Sequence, residues 1–202
     1  VLDLLAGGVS AAEVAVFCTT PTAASDFASR VRVAAAERGE DVRTAAARGR
    51  VCVPREYFLE VLGTREAQAI TGRDARLLNS FEYDFFLEDL KTSTIPPKRL
   101  SEMMKFFKKE LSTLNDFEDG WLYSVEEQEL YDLMMNCLGF ERGIIECEVA
   151  GLFVRVMQEG AAAKVPYVFA DDFRTYSRGT QVALTMLAGE ALTVTDDPDV
   201  AL

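Results

Sequence analysis

Two pairs of neighbouring carboxylates, Asp171-Asp172 and Asp196-Asp197, are the residues best placed for chemistry in this chain. Each pair follows a short apolar run rich in β-formers, Val165 to Ala170 and Ala191 to Thr195, and runs of that length read as buried strands. Mg²⁺ prefers oxygen ligands and is usually held by one or two carboxylates together with substrate phosphates. A strand that ends in an aspartate pair therefore suits a Mg²⁺ and phosphate site. Aspartate also caps turns just past strand ends, and that plainer account explains one pair more easily than two at matching places.

The elements that must position these pairs can be read from the residues between them. Ser177 can cap a helix running to about Leu187, with Gly189 as its stop. Strand, helix and strand make a βαβ crossover, which puts both pairs at the carboxyl ends of parallel strands, where open α/β sheets bind ligands. Earlier in the chain, Val14 to Cys18 reads as a core strand after a capping box at Ser10 and Glu13. Thr19-Thr-Pro-Thr22 then turns into a helix from about Ala23, with Gly39 as its stop. Thr20 and Thr22 should face the same end of the sheet as the aspartates, where they either contact phosphate or DNA or simply cap the helix. Asp41 to Thr44 is a brief strand candidate.

The middle of the chain reads as helical. Pro54 opens a helix ended by Gly63, and Leu77 to Asp89 is dense in aromatic residues, for which core packing is preferred over base stacking because Glu82, Asp84, Glu88 and Asp89 surround the rings. Pro96-Pro97 opens a helix with Leu100, Met104, Phe107, Leu111 and Leu114 on one face. Lys98, Arg99, Lys105, Lys108 and Lys109 make it the most basic stretch, either a solvated face or a phosphate-binding one. A helix capped at Ser124 and another over Glu141 to Met157 complete an all-helical segment, and Glu159 to Lys164 is its return linker. The expected domains are an α/β core over residues 1–77 and 159–202 and a helical insert over 78–158.

Composition narrows the chemistry. The 202 residues contain no histidine and four widely spaced cysteines, so zinc sites, a disulfide framework and Ser-His or Cys-His mechanisms are not expected. Acid-base work near neutral pH falls to carboxylates, Lys, Tyr, Cys or bound water. No apolar run is long enough to span a membrane, so no membrane partner is expected and cytoplasm is the expected compartment. The net charge of −12 argues against a large nucleic-acid footprint, although local Lys and Arg can still act.

The order of segments resembles the UvrD/Rep-type superfamily 1 DNA helicases. Val168-Phe-Ala-Asp-Asp-Phe-Arg-Thr-Tyr-Ser is similar to that family's Walker B segment, and Leu192-Thr-Val-Thr-Asp-Asp-Pro-Asp-Val resembles its next motif. Val14 to Val31 is similar to its strand, Thr and Ala-Ala segment, which contacts single-stranded DNA. The resemblance covers nearly the whole chain and implies a RecA-like parallel sheet of the P-loop NTPase type with an inserted helical subdomain. It also implies ATP and Mg²⁺ as cofactors, and single-stranded DNA and the remaining helicase domains of a longer parent as partners. Asp171 would hold the metal, Asp172 would stand where a glutamate orients the attacking water, and Asp197 would belong to the nucleotide site. Thr20, Thr22 and Thr44, with Lys105, Lys108 and Lys109, would be the nucleic-acid contacts.

Several positions depart from the family pattern. Asp172 is one methylene shorter than glutamate, Arg174 and Val200 replace glutamines, Asp196 replaces a glycine, and Thr44-Ala-Ala stands where the family has Thr-x-His. No GxxxxGK[ST] loop occurs in these residues, and Val1 to Ala6 reads as the tail of a helix, so a preceding segment is expected. A general base displaced by about 1 Å can cost on the order of a hundredfold in rate, so hydrolysis by these residues alone is expected to be slow or absent. Two other readings stay open: a degenerate helicase-like module that binds DNA or protein, and an α/β enzyme with an aspartate-bound Mg²⁺ of the receiver or phosphotransferase kind.

Overall fold

The computed structural model describes residues 1–90, 95–111, 125–140 and 142–195. The chain divides into two compact units, one of Val1–Phe58 with Ala162–Leu202 and one of Leu59–Ala161. In chain order the elements are α1 (Leu2–Ala6), β1 (Val14–Phe17), α2 (Pro21–Ala36), α3 (Glu40–Arg48), β2 (Arg50–Cys52), α4 (Pro54–Leu62) and α5 (Arg65–Thr71). They continue with α6 (Ser80–Leu90), α7 (Pro97–Met104), α8 (Val125–Phe140), α9 (Val149–Gln158), β3 (Val165–Asp171), α10 (Arg178–Leu187) and β4 (Ala188–Thr195). Among the described residues no helix is long and apolar enough to cross a membrane.

The first unit is α/β, and its four strands form one all-parallel sheet in the order β2-β1-β3-β4. All four residues of β1 are buried. A strand covered on both faces of a parallel sheet needs such an unbroken apolar run. On one face Val14, Val16 and Cys18 pack with Phe27 and Val31 of α2, Val42 and Ala46 of α3 and Leu2 and Leu5 of α1. On the other face Phe17 is fully buried with its ring edge-on to Tyr57, centroids 5.4 Å apart. Full burial of such a side chain contributes about 1.5–3 kcal/mol.

Local chemistry explains most boundaries. Ser10 and Glu13 form the reciprocal cap that the sequence suggests, ahead of β1. Thr20 accepts the Ala23 N–H at 3.1 Å and so caps α2, with Pro21 in the first position. Ser177 caps α10, which ends at Leu187.

Several expectations need correction. Asp41 to Thr44 is helical, part of α3, because Val42 and Ala46 one turn apart bury against α1 and α2 and three successive alanines, the best helix formers, follow Thr44. Gly39 precedes α3 with φ 114° rather than closing α2, and the strand that follows is Arg50–Cys52. Gly189 lies inside β4, where a Cβ would sit 3.3 Å from Pro166 Cα, so it permits close approach of two strands and does not stop a helix. The last insert helix begins at Val149, since Ile144 and Ile145 are both buried and Ile144 bridges Leu77, a demand only extended backbone meets.

The second unit is helical. Phe86, Leu87 and Leu90 of α6, Leu100, Met103 and Met104 of α7 and Leu130 and Leu138 of α8 share one core with Ile145. α7 runs into a π-helical turn at Lys105–Lys109, so the single helical face expected through Leu111 is broken there, and Leu111 itself has φ 53°. Leu114, Ser124 and Glu141 lie outside the described residues.

Candidate functional site

The carboxyl end of the sheet gathers the chemistry-bearing residues of the first unit. Phe17 of β1 pairs with Cys52 of β2 on one side and with Ala170 of β3 on the other. The next residues, Cys18 and Asp171, therefore emerge side by side. From β1 the chain returns to the sheet on one side as β2, whereas β3 and β4 lie on the other. In open α/β sheets ligands bind at such a switch point, outside the carboxyl ends of the strands.

The turn leaving β3 is tightly held. Asp172 is left-handed at φ 48° and ψ 46°, a conformation that Asp tolerates better than most residues. Its carbonyl accepts the Thr175 N–H at 2.9 Å and the Thr175 hydroxyl at 2.8 Å. Gln181 of α10 reaches back, its amide donating to the carbonyls of Phe173 at 3.2 Å and Tyr176 at 2.9 Å. The peptide between Asp172 and Phe173 is thus fixed by a short 3₁₀ turn, and the helix after it holds the Phe173 and Tyr176 carbonyls.

Burial sets the ionisation of the neighbours. The Cys18 thiol is pushed up to about 11, first by burial and then by Asp171 and Cys52 nearby. A thiol so raised is protonated at neutral pH and is no nucleophile. Burial also pushes the Tyr176 phenol well above its ordinary range, with Cys18, Asp171, Asp172 and Cys52 adding to it. Its hydroxyl is buried and makes no hydrogen bond among the described residues. A buried polar atom of that kind costs roughly 1–3 kcal/mol.

The sequence-predicted residues fall into four groups. Thr20 and Thr22 leave β1 at the edge where Asp171 and Asp172 leave β3; Thr20 caps α2 and Thr22 is exposed in its first turn. Thr44 is exposed on α3, which feeds the amino end of β2, so it does not join them. Asp196 and Asp197 lie outside the described residues, directly after β4.

Lys105, Lys108 and Lys109 sit on the π-helical turn of the second unit. Lys105 and Lys109 are exposed, whereas Lys108 Nζ lies 3.9 Å from the buried Glu148 carboxylate. Arg99 of the same basic stretch pairs with Glu127 at 2.8 Å. The stretch is therefore less free to meet phosphates than its composition suggests.

Sequence reasoning did not single out Tyr176, Cys18 or Cys52 for this edge. The signal available was positional, since each cysteine stands at or just past the end of an apolar β-run. Among the described residues no group of three or more Cys, Asp or Glu side chains forms a metal cage. One or two carboxylates at a strand end fit a Mg²⁺ held mainly by phosphates and water. No protein-family model matches the chain, and a search of curated proteins finds no match either.

Proposed function

We propose that this chain is part of the ATP-driven motor of a UvrD/Rep-like DNA helicase or translocase. The observation that carries the reading is the adjacency of β1 and β3, which sets the Thr20 and Thr22 segment beside Asp171 and Asp172 at the switch point of a parallel sheet. The order of the motifs along the chain supports the same reading.

In this reading the sheet is the RecA-like, P-loop NTPase type. Asp171 holds Mg²⁺ that arrives with ATP, and the metal offsets phosphate charge at an otherwise acidic edge. Asp172 takes the position of the water-orienting carboxylate, and Asp197 lies with the nucleotide. Gln181 pins the backbone just after the two aspartates, at the carbonyls of Phe173 and Tyr176, which limits how far Asp172 can shift from the position a general base needs. The parent couples ATP hydrolysis to movement on single-stranded DNA, with the rest of its helicase domains as partners.

These 202 residues alone are expected not to turn over ATP, because Asp172 is short and no GxxxxGK[ST] loop is among them. The gene upstream of Val1 tests the assignment. A Gly-x-Gly-Lys-Thr loop encoded within reach of α1 supports an ATP-binding parent, and a reading frame that opens without one overturns the motor reading.

A second reading, a helicase-like module that binds DNA or protein without hydrolysis, is favoured by Tyr176 and Cys18. They place a buried phenol and a protonated thiol beside the carboxylates, and neither group balances phosphate charge.

A further inference from the structure

The solvent side of α6 carries a stripe that the core of its unit does not use. Asn79 and Glu82 cap this helix reciprocally: Asn79 Oδ1 accepts the Glu82 N–H at 3.0 Å, and Glu82 Oε2 accepts the Asn79 N–H at 2.9 Å. That cap fixes where the helix begins. Tyr83, Phe86, Leu87 and Leu90 recur at i, i+3, i+4 and i+7 and pack inward. Phe81, Asp84, Phe85 and Glu88 recur at the same spacing half a turn round, and all four are exposed.

Phe81 is 76% and Phe85 is 60% exposed. Single exposed apolar side chains are ordinary, but here two phenyl rings stand one turn apart, about 6 Å along the axis. Asp84 and Glu88 flank them. An aromatic helix face of this kind is how helices present anchors to one another.

We propose that this stripe docks a basic amphipathic helix of a partner protein, its apolar side chains covering Phe81 and Phe85 and its Lys or Arg side chains meeting Asp84 and Glu88. Charge selects this occupant. A single-stranded nucleic acid could stack on the rings, but its phosphates would face two carboxylates. A second copy packed by two-fold symmetry would set Asp84 and Glu88 against the same acidic pair. A cationic helix meets attraction instead, and the net charge of −12 steers it inward from a distance. The proposal is independent of the nucleotide reading.

The test titrates the full chain with a synthetic amphipathic helix that has leucine on one face and lysine on the other, and with a twin in which glutamate replaces lysine. The lysine peptide is expected to bind and the glutamate twin not. Phe81→Ser with Phe85→Ser should weaken the lysine peptide at least about tenfold, with circular dichroism and melting unchanged because both positions lie outside the core. Asp84→Lys with Glu88→Lys should transfer binding to the glutamate twin. Equal affinity of the phenylalanine double variant and wild type overturns the proposal, because attraction to a generally acidic surface then suffices. Loss of single-stranded DNA binding, or of a dimer in sedimentation, from that same variant also overturns it by giving the stripe to another occupant.

Discussion

Arg73 Nη2 lies 2.8 Å from Glu148 Oε2 inside the helical unit, the two side chains only 6% and 4% exposed. The residues are 75 positions apart in the chain. Arg73 also donates to the Gly143 carbonyl at 3.0 and 2.7 Å and to the Leu138 carbonyl, while Glu148 accepts the Ile145 N–H at 3.3 Å. One guanidinium and one carboxylate thus hold the end of α8, the extended link after it and the start of α9.

Breaking this pair from one side leaves a charge buried without its partner. Glu148→Ala should therefore destabilise the helical unit by about 3–5 kcal/mol. Lys108→Ala, which removes only the longer and partly solvated contact to Glu148, should cost less than about 1 kcal/mol. Urea denaturation followed by circular dichroism distinguishes the two, and similar midpoints for both variants would sink the assignment of Arg73 as the main partner.

Alkaline pH should weaken the fold through two thiols, Cys18 buried and Cys147 partly buried. Burial pushes Cys18 up to about 11 and, with Glu148 beside it, Cys147 up to about 12, both from an ordinary 9.0. Because the folded values lie above the unfolded one, the unfolded chain releases these protons first. The stability they contribute is fully present below pH 9.0 and is lost as pH rises towards 11 and 12. The slope is at most about 1.4 kcal/mol per pH unit for each thiol. Cys18→Ala should flatten the loss between pH 9.0 and about 11, and a stability curve as steep as that of wild type would contradict this.

Tyr176→Phe removes a buried hydroxyl that has no hydrogen-bond partner among the described residues and leaves the ring edge-on to Phe173. The variant should be at least as stable as wild type, by up to about 3 kcal/mol. A clear loss of stability would mean that a water or ligand satisfies the hydroxyl in solution.

If the π-helical turn binds DNA, its two exposed lysines carry the contact. Lys105→Gln with Lys109→Gln should weaken single-stranded DNA and lower the salt slope by about 1.4, whereas Lys108→Gln, turned towards Glu148, should change little. Fluorescence anisotropy across a salt series measures this. Unchanged affinity in the double variant would remove the turn from the DNA path.

Much of the first unit was legible because its signals are local. The runs Val14 to Phe17 and Val165 to Ala170 are β-rich and too short for helices, and the caps at Ser10, Thr20 and Ser177 act within three residues of themselves. Asp41 to Thr44 misled because four residues fit either period, and only the burial of Val42 and Ala46 against α1 and α2 decided for a helix. At the candidate site the aspartates were readable as residue types at a strand end. That Tyr176 and Cys18 come beside them was not, since this depends on which strands are neighbours.

By itself the sequence determined the strand-forming runs, the helix caps, the carboxylate pairs after two strands and a chemistry without histidine, all set by side-chain type and short spacing. Only the tertiary structure decided the order β2-β1-β3-β4, the bond from Arg73 to Glu148 and which phenylalanines of α6 face solvent. The physical reason is range: propensity and capping act over one turn of chain, whereas strand order, buried ion pairs and helix rotation are settled by packing between segments far apart in sequence.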